Sequence, residues 1–260
     1  MFPLKKAFKY SPIALVLVAG GLQAKTYNKE LNVAAGGLLK LETDVGAIDI
    51  DTHSKDTVLV EVNISGKDED RMRVDISKSG DDVNIDGELN RSGFGFGSTS
   101  IRVTYKITLP ESYNVNLDTS GGSIEIEDLK GEVSAHTSGG SISVEDVEGD
   151  VNIKTSGGSL TLENIIGEIN AKTSGGSIKL KLADNPIQDT QVKTSGGSIT
   201  AYLANDVAVD VSAKTSGGRV SSEFAVAGDI EKRSIKGTIN GGGAKLNLKT
   251  SGGSVRLKKI

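Results

Sequence analysis

The chain has 260 residues, 33 of them glycine, with no cysteine, no tryptophan and a formal charge of −4. Without cysteine there is no disulfide framework, no thiol nucleophile and no thiolate metal site. A mildly acidic balance argues against nucleic acid or an anionic membrane surface as the main partner, since both reward basic patches.

In chain order, the first segment reads as an export signal. Lys5, Lys6 and Lys9 form a positive stretch, Ile13–Gly21 is a short apolar run, and Ala24 closes a plausible cleavage site. The run is far shorter than the ~20 residues of a membrane-spanning helix. Removing Met1–Ala24 takes the formal charge from −4 to −7. No lipid-anchoring cysteine follows, and no second apolar segment of spanning length is present. The expectation is a soluble exported chain, placed first in the periplasm, with the cell surface or secretion as alternatives.

Residues 25–118 alternate apolar and polar at 58–64, 72–76, 83–87 and 101–109, the pattern of half-buried strands. "GAIDID" (46–51) imitates the later "GGSIEIED", so a degenerate repeat can begin there. This region is expected to cap the first full repeat. Within it, "SGFGFGST" (92–99) sets Phe94 and Phe96 between glycines. The two rings suit sugar stacking or partner contact from a loop, or packing against the cap.

From 119 onward the chain repeats itself. TSGG begins at Thr119, Thr137, Thr155, Thr173, Thr194, Thr215 and Thr250, at intervals of 18, 18, 18, 21, 21 and 35 residues. A period near 20 marks a solenoid. Helical coils fail, because each unit carries three glycines at about 1 kcal/mol apiece. Apolar residues also alternate: Ile124 and Ile126, Ile142 and Val144, Leu160 and Leu162, then Val133 and Ala135, Val151 and Ile153, Ile169 and Ala171. Each unit is therefore two short strands, and continuing the alternation carries the repeat threonine inward. The glycine pairs Gly121–Gly122, Gly139–Gly140, Gly157–Gly158, Gly175–Gly176, Gly196–Gly197, Gly217–Gly218 and Gly252–Gly253 are read as structural corners with positive φ. A second corner falls at Gly131, Gly149 and Gly167, where the 21-residue units place their extra residues. The predicted fold is all-β: one β-solenoid of two-strand coils over 119–260, continuous with the β-rich cap at 25–118.

Other readings of TSGG fit less well. A nucleotide loop needs Gly-Lys-Ser/Thr opening a helix, whereas here Gly-Gly opens a strand. The calcium-binding nonapeptide repeat needs an aspartate that TSGGS lacks. No cofactor or metal motif is found, and His53 and His136, the only histidines, stand 83 residues apart in sequence.

Stacking turns each repeat position into a column. The residue before each TSGG is Asp118, His136, Lys154, Lys172, Lys193, Lys214 and Lys249 in chain order. Glu127, Glu145 and Glu163 form a second column, and Glu132, Asp150 and Glu168 a third. The lysines are the candidate interaction surface for an envelope protein or an anionic glycan; the competing reading is a solvated face. At the end of the chain, Arg256, Lys258 and Lys259 are read as charges defending an open sheet edge.

These features together resemble a family of exported bacterial proteins described as "putative adhesins", built on a domain of unknown function with repeated β-strands. The resemblance rests on "LNVAAGGLLKLETDVGAIDID" (31–51), "VTYKITLPES" (103–112), the TSGG run and "GTINGGGAKLNLKTSGGSVRL" (237–257), and spans roughly 30–260. It implies a β-solenoid-like fold in the envelope or outside the cell, and brings no catalytic residues. The functional expectation is a non-catalytic envelope interaction or scaffold module. The alternatives are a carbohydrate-active enzyme using the acidic columns, or a glycan-binding surface adhesin using Phe94, Phe96 and the lysines.

Overall fold

The computed structural model describes residues 25–90, 100–186 and 188–260. The segment Met1–Ala24, read above as an export signal, and the stretch 91–99 with Phe94 and Phe96 lie outside the described residues. Apart from one short 3₁₀ turn at Glu69–Arg71, the regular structure described is all strand.

The alternation seen in the sequence sets the architecture. In Val151–Thr155 the residues Val151, Ile153 and Thr155 are buried while Asn152 and Lys154 are exposed. After TSGG the chain crosses to a second sheet, where Leu160 and Leu162 are buried in Leu160–Ile166. Repeating this crossing builds sheets of eleven and twelve strands around one core of valine, isoleucine, leucine and alanine. Parallel neighbours are bonded residue for residue, as in Val151↔Ile169 and Thr155↔Thr173. Neighbouring strands in such a sheet lie about 4.8 Å apart.

The order of coils in space is not their order in sequence. Leu38–Thr43 lies between Asp82–Leu89 and Asn114–Thr119, and Ala47–His53 lies between Arg102–Pro110 and Ile124–Glu127. The two-strand coil thus extends well before residue 119, with "TDVG" (43–46) as its corner. At the other end, the last coil of the chain inserts before the one that precedes it. Ala244–Thr250 pairs with both Thr190–Thr194 and Val209–Thr215, and Val255–Lys259 with both Ile199–Leu203 and Val220–Ser222.

That insertion corrects the edge expected at Arg256, Lys258 and Lys259, whose strand is interior to its sheet. The edges are Lys25–Asn32 and Val220–Ser222 in one sheet, and Met72–Ser79 and Ala227–Glu231 in the other. They are poor templates for a further strand: Val220–Ser222 has three residues, and Ala227–Glu231 carries Asp229 and Glu231.

The TSGG corner is held by three kinds of contact. Each threonine hydroxyl donates to the second-glycine carbonyl of the preceding coil: Thr155 Oγ1 to Gly140 at 2.8 Å and Thr173 Oγ1 to Gly158 at 2.8 Å. The same oxygen accepts the N–H of its own second glycine, Gly158 N to Thr155 Oγ1 at 3.3 Å. The serine after the glycines forms a third ladder, with Ser159 N donating to Ser141 Oγ at 3.1 Å and Ser177 N to Ser159 Oγ at 3.3 Å. The only copy with another residue there is "TSGGR". Arg219 N donates to Ser254 Oγ at 3.2 Å, in the last coil of the stack, where no further coil needs an acceptor.

Positive φ, expected at every pair, is found among them only at Gly122 (φ 152°); at Gly157–Gly158 the need for glycine has another cause. Gly157 is outside the left-handed region, and a Cβ there would meet Gly139 O at an ordinary 3.5 Å. A Cβ on Gly158 would overlap the carbonyl of Gly140, because the two backbones stack in direct contact. Three non-glycine left-handed residues lie at the second corner: Asp128 (φ 58°), Asp146 (φ 53°) and Asn164 (φ 54°), a conformation that Asp and Asn tolerate best after glycine. There Asn164 Nδ2 donates to Asp146 Oδ1 at 2.9 Å.

Two stability predictions follow from the corner. Gly158→Ala is expected to cost at least about 2 kcal/mol, since the stacked backbone must move, while Gly157→Ala stays within about 1 kcal/mol of the parent. Equal urea midpoints for the two variants would contradict this account. Thr155→Val keeps the shape but strips one donor and one acceptor from buried backbone partners, and is expected to cost about 1–3 kcal/mol by the same measurement.

Candidate functional site

Because the inner positions are filled by apolar side chains and threonine, chemical variety is confined to the outer faces. On the twelve-stranded sheet the five-residue strands offer two outward positions each, the longer strands Val209–Thr215 and Ala244–Thr250 a third at Asp210 and Lys245, and parallel register stacks them into rows. The position before TSGG runs, in spatial order, Asp86, Glu42, Asp118, His136, Lys154, Lys172, Lys193, Lys249, Lys214. All five predicted lysines therefore fall in one unbroken row, with Lys249 ahead of Lys214, the reverse of their order in sequence. The row is bipolar: three carboxylates at one end, five ammonium groups at the other, and His136 at the junction.

Two residues earlier, the second row holds Asn116, Ser134, Asn152, Asn170, Gln191, Asn247 and Ser212, all uncharged. Each lysine thus stands beside one amide or hydroxyl on its own strand. Asn170 Oδ1 makes no hydrogen bond among the described residues. This neutral row was not singled out from the sequence, although the spacing of two from each lysine carried the signal.

The other sheet treats charge differently. Glu127, Glu145 and Glu163 align as expected, and Lys181 continues the column. Glu163 is flanked by both Lys179 and Lys181, the latter at 3.2 Å, and these contacts hold its carboxyl below the ordinary range, the Lys179 hydrogen bond most of all. Glu127 is held above it, first by desolvation and then by the neighbouring carboxylates Glu125 and Glu145. Lys179 and Lys181 on this face are engaged by internal pairing. None of the five lysines of the opposite face makes an ion pair among the described residues.

The two histidines stand apart. His53 Nε2 contacts Thr57 O at 2.7 Å at a strand end, whereas His136 lies in the outer row already described. Among the described residues no group of three or more His, Cys, Asp or Glu could hold a metal ion, and no helix is long and apolar enough to cross a membrane. A hollow of about 580 Å³ lies at the second corner between Ile165, Ile166 and the longer turn at Ala183–Pro186. The crowded carboxylates Glu125, Glu127 and Glu145 do not line this hollow.

The family model for Toastrack DUF4097 matches residues 39–258. The chain belongs to that family. No curated protein matches it in sequence. Among solved structures it is similar to a putative cell adhesion protein from Clostridium sporogenes, at 17% identity and a TM-score of 0.45, covering 92% of this chain and all of that one. It is also similar to a putative adhesin from Bacteroides fragilis, at 13% identity and 0.43, covering 92% and 99%, and to a putative lipid binding protein from Parabacteroides distasonis, at 14% and 0.31, covering 90% and 96%. The Toastrack match accords with the repeat-bearing solenoid predicted from TSGG.

The opposed shifts of Glu163 and Glu127 set the sign of a further prediction. A depressed carboxyl contributes stability that is present above its unfolded value and is lost as pH falls through the folded one; a raised carboxyl does the reverse. At neutral pH, Glu163→Gln is expected to lower the melting temperature and Glu127→Gln to raise it, each by no more than about 1 kcal/mol on exposed faces. The Glu163→Gln deficit should vanish on acidification through the carboxylate range. Melting curves at neutral and acid pH that move the same way for both variants would refute the assignment.

Proposed function

We propose that this Toastrack protein is a non-catalytic, adhesin-like interaction module of the bacterial cell envelope, and that the lysine row on its twelve-stranded sheet is the face that meets an anionic partner. The observation that carries the reading is the run Lys154, Lys172, Lys193, Lys249, Lys214, five like charges on adjacent strands with no internal counter-charge. Like charges directly opposite one another in a sheet are destabilising. The other face shows that this fold can neutralise a lysine when stability alone is served, as Glu163 does for Lys179 and Lys181. An unpaired row therefore carries a cost that an external polyanion removes.

The rest of the molecule is consistent with a rigid presenting surface. The corners are fixed by threonine and glycine contacts, so the lysines are held in a line by the backbone. An exported location follows from the signal segment read in the sequence and supplies the setting in which anionic wall, capsule or headgroup material is met.

The mature chain and the triple variant Lys154→Gln, Lys172→Gln, Lys193→Gln are to be compared for binding to immobilised dextran sulfate. If each neutralised pair contributes about 0.5 kcal/mol, the variant loses roughly tenfold in affinity with its melting temperature unchanged. Equal binding by the two proteins would remove the lysine row from the account. Protease access to the tagged protein in intact and in opened cells separates a surface from a periplasmic location.

A further inference from the structure

The lysine row is flanked, strand by strand, by a neutral hydrogen-bonding row, and the pairing recurs in five successive coils: Asn152 with Lys154, Asn170 with Lys172, Gln191 with Lys193, Asn247 with Lys249, Ser212 with Lys214. One cation and one amide or hydroxyl per coil is the complement of a polymer with one anion and several hydroxyls per unit. Resting on the polyanion reading above, we propose that the ligand of this face is a linear polyuronate, an acidic polysaccharide lying along the solenoid axis with about one sugar per coil.

Three features favour a uronate over other polyanions. The first is linear charge density: coils repeat every ~4.8 Å, close to the rise of one pyranose unit in an extended chain, and each uronic acid carries one carboxylate. A polyphosphate carries its charges more densely than the lysines are spaced. The second is the neutral row, since a sugar offers hydroxyls to Asn152, Gln191 and Asn247, and a polyphosphate chain has none. The third is the position of the charge boundary. Beyond His136 the row turns to Asp118, Glu42 and Asp86, which repel a carboxylate, so the site has a defined end. The outer row of the opposite sheet cannot serve in the same way, because Lys179 and Lys181 are both engaged by Glu163.

A row with a beginning, an end and one cation per coil counts the units of its ligand. Neutralising a terminal lysine shortens the count by one. Placing a lysine at the junction lengthens it by one, because residue 136 is in register with both Asp118 and Lys154.

The experiment is calorimetric titration of the mature chain with galacturonate oligomers of one to about eight units, with inorganic polyphosphate as the charged comparator. Affinity is expected to rise about two- to fivefold per added sugar up to about five units and then level off. Lys214→Gln should bring the plateau one unit earlier, and His136→Lys should move it one unit later. Carboxyl-reduced oligomers of the same length should not bind. If affinity tracks total charge with no plateau, or the plateau ignores both variants, the uronate proposal is overturned while the lysine row remains a polyanion site. Binding of polyphosphate alone has the same meaning. If neither polymer binds, the polyanion reading falls with it.

Discussion

The whole molecule depends on how closely one corner can rest on the next. A coil that contributes only two short strands has little apolar surface of its own, so its stability comes from the coils above and below. The threonine hydroxyl bridges two coils at once, donating to the carbonyl of one and accepting the N–H of the other. Such a bridge forms only if the backbones approach to a distance that excludes a Cβ on the second glycine. Thr155 is buried to 1% exposure, so its hydroxyl must be satisfied by protein. The glycine and the threonine therefore act as one device, and neither is useful without the other. Where the corner reads "TDVG", the arrangement changes accordingly: Thr43 Oγ1 meets the hydroxyl of Tyr105 at 2.9 Å, and burial pushes the Tyr105 phenol up to about 12.

This constraint frees the outer faces. Once the corners fix the register, the outward residues contribute little to the core, and substitution there is tolerated on stability grounds. The two faces have used that freedom differently. One pairs two of its lysines locally, around Glu163. The other separates them, acids at one end and lysines at the other, and lays an uncharged row alongside. Surface ion pairs are each worth little, so stability exerts only a weak pull toward either arrangement. The unpaired lysines over five coils are the observation on which the polyanion proposal rests.

Much of this was legible in the sequence because a strict repeat states its own register. The period separated strand from helix, the alternation placed Thr155 and Thr173 inside, and the column of Glu127, Glu145 and Glu163 came out aligned. Other parts were not legible, for identifiable reasons. Gly157 and Gly158 look equivalent in one dimension, and only the stacking distance distinguishes the one that needs to be glycine. The left-handed Asp128, Asp146 and Asn164 were hidden because attention falls on the glycines three residues later. The neutral row of Asn152, Asn170 and Gln191 carries no charge and so draws none. Of the predicted sites, Phe94 and Phe96 fall outside the described residues, and the five lysines are placed together as expected.

The order of the last two coils was the least visible feature, yet the sequence held one sign of it. Serine follows the glycines in six of the seven copies, and in five of them its hydroxyl receives the N–H of the next coil. A copy without serine cannot offer that acceptor, although a coil can still rest on it, as Thr119 does on the "TDVG" corner. Arg219 occupies that place in the sixth copy, which agrees with the order the strand pairing shows: the sixth copy ends the stack and the seventh lies inside it. The insertion has a functional consequence. Were the coils stacked in chain order, the hairpin strand Ser234–Ile239 would be interposed at the lysine row, since it pairs with Val209–Thr215 on the side away from Ala244–Thr250. By threading its last coil back between two earlier ones, the chain keeps Lys193, Lys249 and Lys214 contiguous and leaves the hairpin to close the end.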